Sequence, residues 1–125
     1  MAGVLAIAAG GALGAVLRYV LVSLAALVSG GFPLGTLVVN TIGSFVIGVL
    51  AALWMFSGEP QPAVRLFFQT GLLGAFTTFS AFSLDTMVLW QNGHSYAALL
   101  NTVLNVVLCL LAVSAGLTLG AGWQK

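Results

Sequence analysis

Residues 74–83 read Gly74-Ala-Phe-Thr-Thr-Phe-Ser-Ala-Phe-Ser83, in the middle of an otherwise apolar run. Two adjacent threonines and two serines are costly in hydrocarbon unless something satisfies them. Polar groups at that depth therefore point to function before packing. Phe76, Phe79 and Phe82 recur every third residue, roughly on one helical face. Hydroxyls and an aromatic stripe in one short stretch suggest a pathway for something small.

The chain around this stretch has 125 residues, 61% of them hydrophobic and 4% charged, with a mean hydropathy of +1.18. Soluble domains carry about 25% charged residues, so this chain falls outside that class. Its charges are Arg18, Glu59, Arg65, Asp85 and Lys125, too few to cover a soluble surface. The surrounding solvent is read as lipid bilayer. A membrane helix needs about 20 apolar residues, and four stretches qualify, at about 3–28, 34–56, 64–90 and 96–119. The breaks at 29–33, 57–62 and 91–95 are short and rich in Gly, Pro or polar residues, as surface turns should be. Trp54, Trp90, Tyr96 and Trp123 fall near segment ends, where amphipathic rings prefer the interface. The expectation is an all-α integral membrane protein. A single membrane domain over 1–125 would hold four transmembrane helices, with both termini on one side. No secretory leader is expected, because no positively charged region precedes the first apolar segment and hydrophobicity continues to the C-terminus.

Orientation is poorly specified. The face shared by the N-terminus, the second loop and the C-terminus carries Arg65 and Lys125, whereas the opposite face can claim only Arg18. The positive-inside rule needs a clear Lys/Arg excess to choose a side. The expectation is dual topology, with chains inserting both ways and pairing as an antiparallel homodimer. Gly10, Gly11, Gly14, Gly43, Gly48, Gly71 and Gly74 are small residues that let helix backbones approach in membranes.

The third segment exceeds the length of a straight span. Tilt could absorb the surplus, or the helix could break at Gly74 and Thr77-Thr78. Unwound backbone at membrane depth is tolerated only when buried in protein or lining a cavity. Carbonyls exposed at such a break carry partial negative charge and can coordinate a cation such as Na⁺. On the second segment Thr36, Asn40 and Ser44 are four apart, and Asn101, Asn105 and Cys109 repeat that spacing on the fourth. Such stripes serve either interhelical hydrogen bonding, worth about 0.6 to 2 kcal/mol per contact, or a lined path. Amides, hydroxyls and the positive edges of aromatic rings suit a small anion better than a cation. Arg18 reads as a structural anchor that snorkels to the interface. Asp85 is placed either against a neighbouring helix or near the path's mouth.

Catalysis finds no support: paired carboxylates, a Cys/His pair, a phosphate loop and a metal-ligand cluster are all missing from the sequence. Cys109 reads as an apolar filler and His94 as a solvated loop residue. The net charge of +1 implies no nucleic-acid partner. The rival reading is a small dual-topology proton-coupled multidrug exporter. That chemistry needs an intramembrane carboxylate, and the first two segments contain no Asp or Glu.

Three motifs carry a family resemblance: Gly10-Gly-x-x-Gly14-Ala-x-x-Arg18-Tyr, Pro33-x-Gly-Thr-x-x-Val-Asn40-x-x-Gly-Ser-Phe, and the opening stretch 74–83. Together they resemble the CrcB/Fluc fluoride channels. The resemblance implies an antiparallel dual-topology dimer in the bacterial plasma membrane that exports fluoride passively and relieves its toxicity. It further implies two pores per dimer and a central structural Na⁺ held by the backbone carbonyls of Gly74 and Thr77. Phe79 and Phe82 would present ring edges to fluoride, Asn40 would line the pore as a donor, and Ser80 and Thr78 would lie nearby. Asn101 and Asn105 are assigned to the same path, and Arg18 matches the family's first-helix arginine. Ala75, Ala81 and Asp85 depart from the family's frequent glycine, threonine and glutamate. On the fourth helix many members carry a tyrosine and serines where Asn101, Asn105 and Cys109 fall.

Overall fold

The computed structural model describes residues 1–122; Trp123 and Lys125, read above as an interfacial ring and a facial charge, lie outside the described residues. Among the described residues, four spans are long and apolar enough to cross a membrane: Ala2–Ala26, Leu34–Ser57, Pro62–Gln91 and Ser95–Gly122. The first two are single helices, α1 (Ala2–Ala26) and α2 (Leu34–Ser57). The third is built from pieces: α3 (Pro62–Arg65), a π-helical segment (Leu66–Leu73), α4 (Gly74–Phe76) and α5 (Phe79–Gln91). The fourth is α6 (Ser95–Gly122).

Local sequence explains the ends. Pro62 opens α3 at a position where its fixed φ suits a helix and its missing N–H costs nothing. At the far end of α5, Gly93 adopts φ 81°, its N–H donates to the Trp90 carbonyl, and the His94 N–H donates to the Leu89 carbonyl. That pair of bonds is a Schellman close. His94 thus acts through its backbone in the turn, and its side chain is exposed. In the second connection Arg65 Nη1 lies 2.6 Å from Glu59 Oε2, with both side chains exposed. An exposed pair of this kind is worth about 0–1 kcal/mol.

Glycines set how closely the spans approach. A Cβ on Gly10 would overlap the Phe67 carbonyl oxygen, and one on Gly14 would overlap that of Leu72. Gly71 returns the contact, since its Cβ would lie 2.8 Å from the Ile7 carbonyl oxygen. Here α1 lies backbone to backbone on the π-helical segment. The pairing of α2 with α6 works the same way: a Cβ on Gly48 would meet the Val113 carbonyl, and one on Gly116 the Phe45 carbonyl. Gly116 and Gly120 on α6 are buried close-contact residues absent from the glycine set picked out above. By contrast, a Cβ on Gly11 would sit 4.0 Å, and one on Gly74 3.6 Å, from its nearest neighbour. Those two glycines are not needed for packing within the chain.

The interior is narrow. Its buried apolar side chains are Leu37, Val39, Ala52, Leu73, Phe76, Phe82 and Ala98, while residues such as Val4, Leu24, Leu99 and Leu110 stand exposed along the spans. Lipid covers such faces without penalty, so association rests on close packing and interhelical hydrogen bonds. Among the described residues no buried side-chain polar atom lacks a partner.

Candidate functional site

Between α4 and α5 the backbone leaves the helix for two residues. Thr77 has φ −86° and ψ 156°, and Thr78 has φ −153° and ψ 113°, both extended. Asn40 of α2 meets this step. Its Oδ1 accepts from the Thr78 N–H at 2.8 Å, and its Nδ2 donates to the Thr78 carbonyl at 3.1 Å. One carboxamide therefore holds both polar groups of one residue's backbone. Gly43, one turn further along α2, makes room for this step, because a Cβ there would overlap Thr77 Cγ2.

The polar contacts continue across the bundle. Asn40 Nδ2 also donates to Asn105 Oδ1 at 3.1 Å. Asn105 Nδ2 donates to both the carbonyl and Oδ1 of Asn101, at 3.1 and 3.0 Å. Asn101 Nδ2 donates to Thr86 Oγ1 at 2.8 Å, and Thr86 Oγ1 donates to the Phe82 carbonyl at 2.8 Å. The result is a continuous chain of amides and hydroxyls from the extended step to the middle of α5. Asn101 is fully buried and Asn105 nearly so. Thr86 is the member that the sequence reading missed; its place four residues after Phe82 was the available signal.

An open cleft of about 460 Å³ runs along this chain of contacts. Its lining includes Asn40, Gly74, Thr77, Thr78, Phe79, Phe82 and Asn105. Most of the residues nominated from sequence thus share one concavity. Phe79 and Phe82 pack edge-on, with ring centroids 5.2 Å apart and planes at 61°. Phe79 is 77% exposed and Phe82 is 8% exposed. Phe76, the first ring of the three-residue stripe, is buried and packs at Gly43. It faces neither the cleft nor lipid.

Three nominated residues stand apart. Asn101 supports Asn105 from behind and does not line the cleft. Ser80 is exposed, and its Oγ lies 3.2 Å from Thr78 Oγ1. Arg18 lines a second, smaller cavity with Tyr19, Thr36 and Thr78; among the described residues it makes no hydrogen bond or ion pair. Asp85 accepts a 2.7 Å hydrogen bond from Thr36 Oγ1 and is not part of the main cleft. The Thr36–Asn40 stripe of α2 therefore faces the extended step and α5. Among the described residues no cluster of His, Cys, Asp and Glu could hold a metal.

Capture of the Thr78 N–H by Asn40 has a counterpart one turn on. The Ala81 N–H donates to Thr78 Oγ1 at 3.1 Å, so Thr78 caps α5 in the usual N-cap manner. Thr77 bonds backward instead: its N–H and Oγ1 both donate to the Leu73 carbonyl, at 3.0 and 2.9 Å.

The family described as "CrcB-like protein, Camphor Resistance (CrcB)" matches residues 5–117. A protein of Paracoccus denitrificans (strain Pd 1222) named "Fluoride-specific ion channel FluC" is 52% identical over 118 residues, covering 94% of each chain. Proteins of the same name from Rhizobium meliloti (strain 1021) and Shewanella halifaxensis (strain HAW-EB4) are 51% and 49% identical, each over 93% of this chain and 94% of its own length. With the match spanning nearly every residue of the four spans, this chain belongs to the CrcB family of membrane proteins.

Proposed function

We propose that this chain is the subunit of a fluoride-selective channel in a bacterial plasma membrane, draining cytoplasmic fluoride passively and so relieving its toxicity. The observation that carries the proposal is the cleft that gathers the Phe79–Phe82 ring pair beside amides and hydroxyls, without a carboxylate in its lining. Ring edges are the positive part of the aromatic quadrupole, and amide and hydroxyl donors suit a small, hard anion. Fixed donors and ring edges would replace the hydration shell in a passage too narrow for larger anions. Asn40, Thr78 and Asn105 form the polar wall, with Ser80 and Asn101 adjoining it. Kinship at about half identity with proteins named as fluoride-specific channels supports the same ion.

The driving force is the membrane potential. Fluoride enters as its neutral conjugate acid and dissociates in a less acidic cytoplasm. An interior-negative potential then favours exit by about 2.3 kcal/mol per charge per 100 mV. No proton coupling is required, which sets this reading against the exporter. The exporter's carboxylate has no counterpart in the cleft, and Asp85 is engaged by Thr36 instead. In liposomes loaded with potassium fluoride, a potassium ionophore should release fluoride to an external electrode in the presence of the protein. Silence, or release only under a proton gradient, would return the exporter to first place.

The working unit is proposed as an antiparallel homodimer of dual topology. Arg65 and Lys125 on one face against Arg18 on the other leave no clear Lys/Arg excess to orient the chain. A His94→Cys variant lacking Cys109 should react with a membrane-impermeant thiol reagent in part from each side of the cell membrane. Labelling from one side alone would exclude dual topology. In this dimer the Gly74 and Thr77 carbonyls would hold a central Na⁺. The fit rests on hydrogen bonding: the N–H groups four residues on, those of Thr78 and Ala81, bond to side chains and leave these carbonyls available. Such carbonyl oxygens suit Na⁺, which when bound would supply a fixed positive charge and tie the two halves together.

A further inference from the structure

In an unbroken helix each carbonyl accepts from the N–H four residues on. The Gly74 carbonyl would then bond the Thr78 N–H, and the Thr77 carbonyl the Ala81 N–H. Neither bond forms here. Asn40 Oδ1 takes the Thr78 N–H, and Thr78 Oγ1 takes the Ala81 N–H. The two carbonyls proposed as cation ligands are the ones whose helical donors have been drawn away, and each was drawn away by one identifiable side chain.

We propose that Asn40 and Thr78 are positioning residues for the cation site, their side chains withdrawing the two N–H groups that would otherwise saturate the Gly74 and Thr77 carbonyls. This rests on the reading of those carbonyls as Na⁺ ligands. It also changes what Asn40 contributes to the anion path. Both hydrogens of its amide are committed, one to the Thr78 carbonyl and one to Asn105 Oδ1. Asn40 then acts on the pathway chiefly by holding the backbone and anchoring the amide chain, and not as a free donor to the ion. Thr78 likewise has its hydroxyl shared between the Ala81 N–H and Ser80 Oγ.

Asn40→Ala would leave two backbone groups and Asn105 Oδ1 without partners, and so tests folding before it tests the site. Thr78→Val is the cleaner variant. Valine keeps the branched shape and suits the extended backbone that Thr78 adopts, while removing only the oxygen that holds the Ala81 N–H. The measurement is the melting temperature of purified protein in detergent, titrated with NaCl against N-methyl-D-glucamine chloride at constant ionic strength. A cation that binds only the folded state raises stability with concentration. Thr78→Val should need about tenfold more Na⁺ to reach a given rise in melting temperature, the scale of one lost hydrogen bond. Thr78→Ser retains the oxygen and should stay within about threefold of wild type by the same arithmetic.

Fluoride efflux measured against Na⁺ concentration gives the second readout. Its midpoint should shift to higher Na⁺ in Thr78→Val and stay near that of wild type in Thr78→Ser. An unshifted Na⁺ midpoint with a reduced maximal rate would assign the hydroxyl to fluoride and overturn the proposal. Wild-type protein that melts identically in both salts would refute the cation site itself, and the positioning role with it. The two failures are therefore told apart by which protein shows them.

Discussion

Replacing Phe79 by Ile is expected to lower fluoride efflux by about tenfold or more, the factor carried by roughly 1.4 kcal/mol, while the purified protein stays folded and assembled. The separation follows from where the ring sits. Phe79 is 77% exposed within the chain and lines the cleft, so isoleucine there removes little buried contact. What it removes is the positive ring edge and its edge-on contact with Phe82. Phe82→Ile should also cut flux but with a stability cost, because that ring is 8% exposed and part of the core. Losing a buried aromatic costs a few kcal/mol when the space cannot collapse, and less when a branched aliphatic refills it. The pair of variants thus separates conduction from packing. Efflux from Phe79→Ile liposomes that matches wild type, with equal protein incorporated, would remove the ring pair from the pathway.

The four spans were legible because hydropathy and turn composition are local signals, and a chain with so few charges leaves few alternatives. The polar stripes were legible as stripes for the same reason: a four-residue spacing marks a helical face. What a stripe meets is not local. Asn40 reads as a donor on a helix surface, and only the tertiary arrangement brings Thr78 to it, with both of that residue's backbone groups in reach. The sequence reading joined Asn101 and Asn105 to the path on equal terms, whereas Asn101 stands behind Asn105 and is tied to Thr86. Thr86 follows Phe82 by four residues, which marks a shared helical face but does not name its partner Asn101 on α6.

The π-helical segment Leu66–Leu73 was not legible at all. No residue type demands it, and it arises where Gly10, Gly14 and Gly71 let two backbones touch. Each π turn fits an additional residue into its hydrogen-bonded ring, and such turns gather at functional sites. Here the segment runs directly into α4 and the extended step, so the packing of α1 and the geometry of the cleft are joined through one stretch of backbone. Arg18 shows the opposite limit. Its charge was conspicuous in sequence, yet its surroundings within one chain supply it no partner among the described residues.

That junction sets the second large effect. Gly10→Ala should lower the melting temperature in detergent by on the order of 10 °C and reduce the yield of assembled protein, whereas Gly11→Ala should leave both near wild type. Two opposing terms decide the sign at each position. Alanine favours a helix over glycine by about 1 kcal/mol, which helps both variants equally. At Gly11 nothing opposes it, since the new Cβ would stand 4.0 Å from the Gly71 carbonyl oxygen. At Gly10 the new Cβ would overlap the Phe67 carbonyl oxygen and lie 2.9 Å from the Leu72 nitrogen. These are backbone atoms, which cannot swing aside as a side chain could, so α1 must move off the π-helical segment. Overpacking of this kind costs typically 1–3 kcal/mol and occasionally more, enough to reverse the propensity gain. The displacement would also reach Thr77 and Thr78 through α4, so efflux should fall in Gly10→Ala even at temperatures where it remains folded. Equal stability of the two alanine variants would show that α1 and the third span do not meet backbone to backbone.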